Sequence, residues 1–212
     1  PDITREAYPY NMDFRVLEIN AVGNKKIVTG GFKEGYWGAL DSQNHIIPNV
    51  AELPFDAGEV SGLEKGTVFG GILKANSKQS KFVLSIRASD VFEIYRVSDD
   101  GINRVYVSPF KHIPKTRKKG GGHAIDYNQS IGGIKNIAVS DDLICFSLFL
   151  QNYNEAAKTD FASNELFRFD WDGNKVKKYV LPFPIGNFCI DGTHIYGVRN
   201  FEDKIIIYRF NM

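Results

Sequence analysis

Four times along this chain an apolar strand, a short polar turn and a second apolar strand follow one another. The segments read VLEINAVGNKKIVTG (16–30), GILKANSKQSKFVLSI (71–86), IKNIAVSDDLICFSLF (134–149) and GNFCIDGTHIYGVRN (186–200). Aligned on the second strand, their anchors are Ile27, Phe82, Ile144 and Ile195, which recur about every 50–60 residues. A repeat on this scale limits the fold, because each unit must bury its apolar faces against its neighbours. A third strand follows each pair, in GYWGALD (35–41), VFEIYRV (91–97), ELFRFDW (165–171) and KIIIYRF (204–210). The first three units add a turn (SQN, SDDG, DGN) and a fourth strand, HIIPNV (45–50), INRVYVS (102–108) and KVKKYVL (175–181). Asp, Asn and Gly tolerate the positive φ that tight hairpins need, so these turns suit antiparallel closure.

Four antiparallel strands per unit predict an all-β fold, a β-propeller with about four blades present. The repeats fall at about 14–50, 70–108, 132–181 and 185–210, within one propeller domain or part of one. A β-sandwich with similar hairpins is the competing architecture. Its strands would come at regular 8–12-residue spacing, whereas the uneven spacing here itself repeats. The last unit lacks a fourth strand, and residues 3–10 (ITREAYPY) are available to supply it.

Composition agrees with a β-rich protein, at 43% hydrophobic and 13% aromatic. Net charge is +1, too balanced for general nucleic-acid affinity. No apolar run approaches the ~20 residues of a membrane-spanning helix. Cys145 and Cys189 sit in apolar runs and read as small buried hydrophobes. The first residue is Pro1, with no signal-peptide pattern after it, which reads as a removed leader or a trimmed product.

The phrases ILKANSKQSKFVLSIRASDVFEIYRV, IAVSDDLICFSLF and ELFRFDWDGNKVKKYVLPFPIGNFCIDGTHIYGV resemble blades of the TolB-like six-bladed β-propeller proteins of bacteria. The resemblance spans roughly residues 14 to 210. It implies an exported binding protein, either periplasmic or at the cell surface, or else tethered to the membrane by a lipid anchor on a removed leader. It supplies no catalytic residues. The chain holds about four such blades, so either two are missing from the N-terminal side or the ring is smaller.

In an up-and-down blade the first-to-second and third-to-fourth turns share one face, and here all are short. The other face takes the long connections 51–68, 109–132 and 151–164, and loops of this length are usually functional or disordered. The segment FKHIPKTRKKGGGHAIDYNQS (110–130) gathers Lys111, Lys115, Arg117, Lys118 and Lys119 around three glycines and His123. Glycine backbone beside cations suits an anion or an acidic surface, although the GxxxxGK[ST] phosphate-loop spacing is absent. Tyr36 and Trp37 follow the short loop GFKEG, and Tyr127, Tyr153 and Phe161 lie in or beside the long loops, where exposed rings would form platforms for sugars or peptides.

The candidate ligand-binding set is therefore Tyr36, Trp37, Lys115, Arg117, Lys118, His123, Tyr127 and Tyr153. The scattered histidines His45, His112, His123 and His194 have no metal-ligand spacing, so neither a metal nor a cofactor is expected. Asp99-Asp100 and Asp141-Asp142 read as turn residues bonding their own backbone. Without a GxSxG or another nucleophile motif, the first reading is a non-enzymatic binding or scaffolding propeller for a protein or carbohydrate, with no nucleic acid. The second is a propeller enzyme, lactonase- or polysaccharide-lyase-like, with its site at the channel mouth.

Overall fold

The computed structural model describes residues 14–32, 35–47, 52–76, 78–109, 111–201 and 204–212. The first sheet is β1 (Phe14–Val22), β2 (Lys25–Phe32), β3 (Trp37–Leu40) and β4 (Ile46–Ile47). The second is β5 (Gly70–Asn76), β6 (Lys81–Ile86), β7 (Phe92–Ser98) and β8 (Gly101–Val107). A two-stranded hairpin, β9 (Thr116–Lys119) and β10 (Gly122–Ile125), stands between the second and third sheets in the chain. The third sheet is β11 (Ile131–Val139), β12 (Leu143–Asn152), β13 (Ser163–Asp170) and β14 (Lys175–Ile185). The fourth holds β15 (Asn187–Ile190), β16 (His194–Phe201) and β17 (Lys204–Asn211). Within each sheet the strands are antiparallel and in sequence order, the meander of a propeller blade. Residues 3–10, the expected closing strand, lie outside the described residues.

Apolar layers lie in series between successive sheets. Ile27, Trp37 and Ala39 of the first sheet meet Leu73, Phe82, Leu84 and Tyr95 of the second. Val83, Phe92 and Ile94 leave the opposite face of the second sheet for Ile134, Ile144 and Phe146 of the third. Cys145, Leu166 and Tyr179 of the third then meet Phe188 and Ile195 of the fourth. Successive residues on a strand point to opposite faces, so Phe82 and Val83, or Ile144 and Cys145, serve different layers. A sandwich would share one layer between two sheets, so the serial layers decide for the propeller. All four anchors, Ile27, Phe82, Ile144 and Ile195, are 0% exposed. Burying an aliphatic or aromatic side chain of this size contributes about 1.5–3 kcal/mol.

Three of the short turns are closed by aspartates. Asp41 accepts backbone N–H bonds from Gln43 (2.8 Å) and His45 (2.9 Å), and Asp170 does so from Asp172 (2.9 Å) and Asn174 (2.8 Å). Asp191 repeats this with Thr193 (2.9 Å) and His194 (2.7 Å). Asp141 does otherwise, pairing with Lys78 and offering its carbonyl to Asn76 Nδ2 at 2.8 Å, which joins the second sheet to the third.

The long connections differ from the structureless loops expected from sequence. The first contains helix α1 (Gly62–Phe69), opened by the capping residues Ser61 and Glu64. The second contains the β9–β10 hairpin. Gly120 (φ 59°) and Gly121 (φ 84°) supply the two positive φ angles of a two-residue hairpin turn, so these glycines bend backbone instead of cradling a phosphate. The third contains helix α2 (Tyr153–Lys158), whose N-cap Asn152 accepts from the Asn154 backbone N–H at 2.9 Å.

The three segments meet. Asn152 Nδ2 donates to the Asn128 carbonyl at 2.7 Å, and the His123 backbone N–H donates to Glu64 Oε1 at 2.8 Å. No helix among the described residues is long and apolar enough to cross a membrane.

Candidate functional site

Lys135 lies on β11, the first strand of its sheet. The pairing with β12 jumps from Ile134↔Leu148 to Asn136↔Ser147, which leaves Lys135 as the extra residue of a β-bulge. Bulges re-aim side chains, and this one delivers a half-buried lysine to the start of α2. Its Nζ sits 4.4 Å from the ring centre of Tyr153 and 3.8 Å from that of Phe161. It also donates to the Tyr153 hydroxyl at 3.4 Å.

Tyr127, from the end of the hairpin segment, stacks on Tyr153 with 3.9 Å between ring centres. Phe161 stands edge-on to Tyr153 at 5.0 Å and to Phe149 at 5.9 Å. The backbone reaches Phe161 through an uncommon conformation, with Asp160 at φ 50° and Phe161 at φ 53°. A bulky residue there costs of order 1–3 kcal/mol, offset by the bond from the Phe161 N–H to the Ala156 carbonyl (3.0 Å) and by the ring contacts.

A second cation stands close by. The Arg87 backbone bridges Gly133, two residues before Lys135, and Arg87 Nη1 donates to the Thr67 carbonyl at 3.1 Å. Burial, and then the Arg87 charge, pull the Lys135 ammonium down to about 8. The two ring faces favour the cation by about 0.5–2 kcal/mol each and work against that shift. Burial and the neighbouring Tyr127 push the Tyr153 phenol up. Among the described residues, neither Lys135 nor Arg87 has a carboxylate partner.

Of the side chains expected from sequence, the structure brings Tyr127 and Tyr153 together. Lys115, Arg117 and Lys118 are exposed on the hairpin segment, with Lys118 paired to Glu59 at 2.9 Å. Lys118, Lys119, His123 and the Gly120–Gly122 turn border a shallow cleft of ≈ 460 Å³. Tyr36 and Trp37 require correction. They are 0% and 1% exposed, held between the first two sheets, and offer no surface platform. The Tyr36 hydroxyl is spent on Glu93, and the Trp37 ring packs edge-on against Phe82 and Tyr95.

Cys189 also departs from expectation. Cys145 is buried, its thiol pushed up to about 12, but Cys189 is exposed on the side of β15 opposite the buried Phe188. Lys135 was not singled out by its sequence context, because only the strand pairing creates the bulge.

The histidines are dispersed, each beside one carboxylate: His45 by Asp41, His112 by Asp90, His123 by Glu64 and His194 by Asp191. Among the described residues no three His, Cys, Asp or Glu side chains come together to hold a metal ion. Glu64 is the junction of α1 and the hairpin. The Ser61 hydroxyl, then the Ser61 and His123 backbone N–H groups, donate to its carboxylate and hold it at about 2. The order it supplies is present above the unfolded glutamate value of about 4.3 and is lost as pH falls through about 2. Amides of 116–125 should therefore exchange faster in Glu64→Ala than in the parent at pH 7 by hydrogen–deuterium exchange, with the gap closing toward pH 2. Equal exchange at pH 7 would remove Glu64 from that role.

Comparison with curated proteins finds no match. Among solved structures, the chain is similar to the β-propeller domain of Cps50 (Swd1) from Myceliophteria thermophila. The TM-score is 0.51 at 12% identity, over 92% of this chain and 53% of that one. This likeness shows the fold, and the chain spans about half the length of that propeller chain. The TolB-like 6-blade propeller-like family matches residues 3–193. With nearly the whole chain matched and its sheets packed blade on blade, the chain belongs to the TolB-like 6-blade propeller-like family.

Proposed function

We propose that the chain is a non-enzymatic binding or scaffolding module that engages a protein or carbohydrate ligand with the face built by segments 51–68, 109–132 and 151–164. One observation carries this reading: Tyr127, Tyr153, Phe161 and Lys135 converge there from three separate parts of the chain. Half-buried rings beside Asn128, Asn152 and Asn154 combine a stacking surface with hydrogen-bonding groups, as sugar and peptide sites require. The opposite face carries short turns, three of them closed by the aspartates Asp41, Asp170 and Asp191. Export to the periplasm or cell surface of a bacterium belongs to the same reading, with the family match as its one support; fractionation of cells carrying the tagged native protein checks it.

The binding test compares two surface variants on a glycan array and in a proximity-labelling experiment. One carries Arg117→Glu, Lys119→Glu, Asn128→Ala and Asn154→Ala on the long-segment face. The other carries Asp100→Lys and Lys175→Glu at the short turns. Ligands lost by the first and kept by the second are the expected result, and the reverse pattern overturns the choice of face.

A further inference from the structure

The geometry points to an oxyanion site at the bulge of β11, in which Lys135 and Arg87 clamp the carboxylate of an organic ligand whose apolar or ring portion lies against Phe161 and Tyr153. This rests on the reading of the long-segment face as the binding face and names the chemistry that face takes.

Lys135 and Arg87 are both half-buried, and the charge of Arg87 weighs on both Lys135 and Tyr153. Two cations partly withdrawn from water on bridged segments, Arg87 opposite Gly133 and Lys135 two residues farther on, oppose folding unless something compensates them. Elsewhere the chain supplies such compensation for its buried lysine, Lys81, which pairs with Asp172 at 2.9 Å. At Lys135 and Arg87 the compensating groups are ring faces, a phenol and one backbone carbonyl, none of which carries a full negative charge. An arriving carboxylate would find an ammonium and a guanidinium with donors to spare.

Shape supports the organic body. Phe161 is held at positive φ with its ring over the ammonium, and a flexible loop would gain nothing from that conformation. The Tyr127–Tyr153 stack braces the ring that Phe161 meets edge-on. Inorganic phosphate or sulfate would use the cations and leave the rings idle, whereas a carboxylate attached to a ring or alkyl body uses both. The bulge adds specificity of place, because a regular β11 would keep residue 135 in step with the ladder instead of standing outside it.

The test titrates the folded chain with benzoate, with benzamide as the neutral isostere, and with inorganic phosphate. Binding is read by Tyr and Phe ring-proton shifts in NMR and by thermal shift. Benzoate is expected to saturate, and benzamide to bind at least tenfold more weakly. Lys135→Met and Arg87→Gln should each weaken benzoate at least tenfold, Lys135→Arg should retain most of the binding, and Phe161→Ala should weaken benzoate without changing phosphate. If benzamide matches benzoate, or if Lys135→Met with an unchanged fold binds benzoate as the parent does, the carboxylate assignment is wrong. Phosphate binding without benzoate binding would overturn the organic-ligand part. Failure here with the surface-variant test succeeding removes only the chemistry of the ligand. The opposite outcome, benzoate bound at Lys135 while the surface variants misassign the face, removes only the macromolecular reading.

Discussion

Replacing Gly66 with alanine is expected to destabilise the protein by about 3 kcal/mol, against the helix-propensity trend. Alanine favours an isolated helix by about 1 kcal/mol over glycine. In α1 that preference meets a wall, because a Cβ at Gly66 would stand 1.4 Å from the Gly30 carbonyl oxygen and 2.3 Å from the Gly31 nitrogen. The contact is reciprocal, since a Cβ at Gly31 would stand 2.0 Å from the Leu63 carbonyl oxygen. Helix and strand are packed backbone on backbone, and backbone cannot rotate away as a side chain would.

Accommodating the methyl means lifting α1 off β2. Val68 and Phe69, 4% and 1% exposed, would be disturbed, and Glu64 would be drawn from His123. For a chain of this size the melting temperature should fall by about 6–12 °C. Leu63→Ala, at a side chain 46% exposed on the same helix, should stay within about 0.5 kcal/mol. A Gly66→Ala protein that melts with the parent would show that the helix does not press on the strand.

The second large effect belongs to Arg104. Glu93, on the inner strand β7, is 0% exposed, and its carboxylate accepts from Arg104 Nη1 at 2.7 Å and from the Tyr36 hydroxyl. Burial pushes the Glu93 carboxyl up, while Tyr36 and Arg104 pull it down. Arg104→Met removes the cation and strands the acid, a change that costs about 3 kcal/mol, at the lower end for broken buried pairs because the Arg104 side chain is 40% exposed.

The pH dependence has a definite sign. A carboxyl raised in the folded state contributes its stability below the unfolded value of about 4.3 and loses it as pH rises through the folded value. Loss of Arg104 raises the folded value further. The Arg104→Met deficit should therefore be small near pH 4.5 and large at pH 7.5 in chemical denaturation. The double variant Glu93→Gln/Arg104→Met should recover most of it. An equal deficit at both pH values would mean that Glu93 is not the group left uncompensated.

These two sites differ in how far the sequence exposed them. The repeat and its anchors were legible, because burial on both faces of a blade writes near-continuous apolar runs such as LICFSLFL, and Ile144 and Cys145 each fill a layer. The capping pair Ser61 and Glu64, four residues inclusive ahead of an apolar stretch, was also present to be read, as was the Gly120–Gly121 turn between TRKK and GHAI. Reading the long connections as loops passed over both signals. Tyr36 and Trp37 misled in the other direction. Neighbours on a strand point to opposite faces, yet Tyr36 lies just before β3 and turns inward to Glu93, a partner 57 residues away.

The local pattern of the chain determined the strands, their turns and their grouping into blades, since hydrophobic alternation and turn chemistry act over a few residues. Only the tertiary structure decided the site. Lys135 leaves the ladder because β11 and β12 pair out of step, and Tyr127 meets Tyr153 because the hairpin segment is bound to α2 through Asn128. Register and long-range contact are properties of paired elements, and no single stretch of sequence contains them.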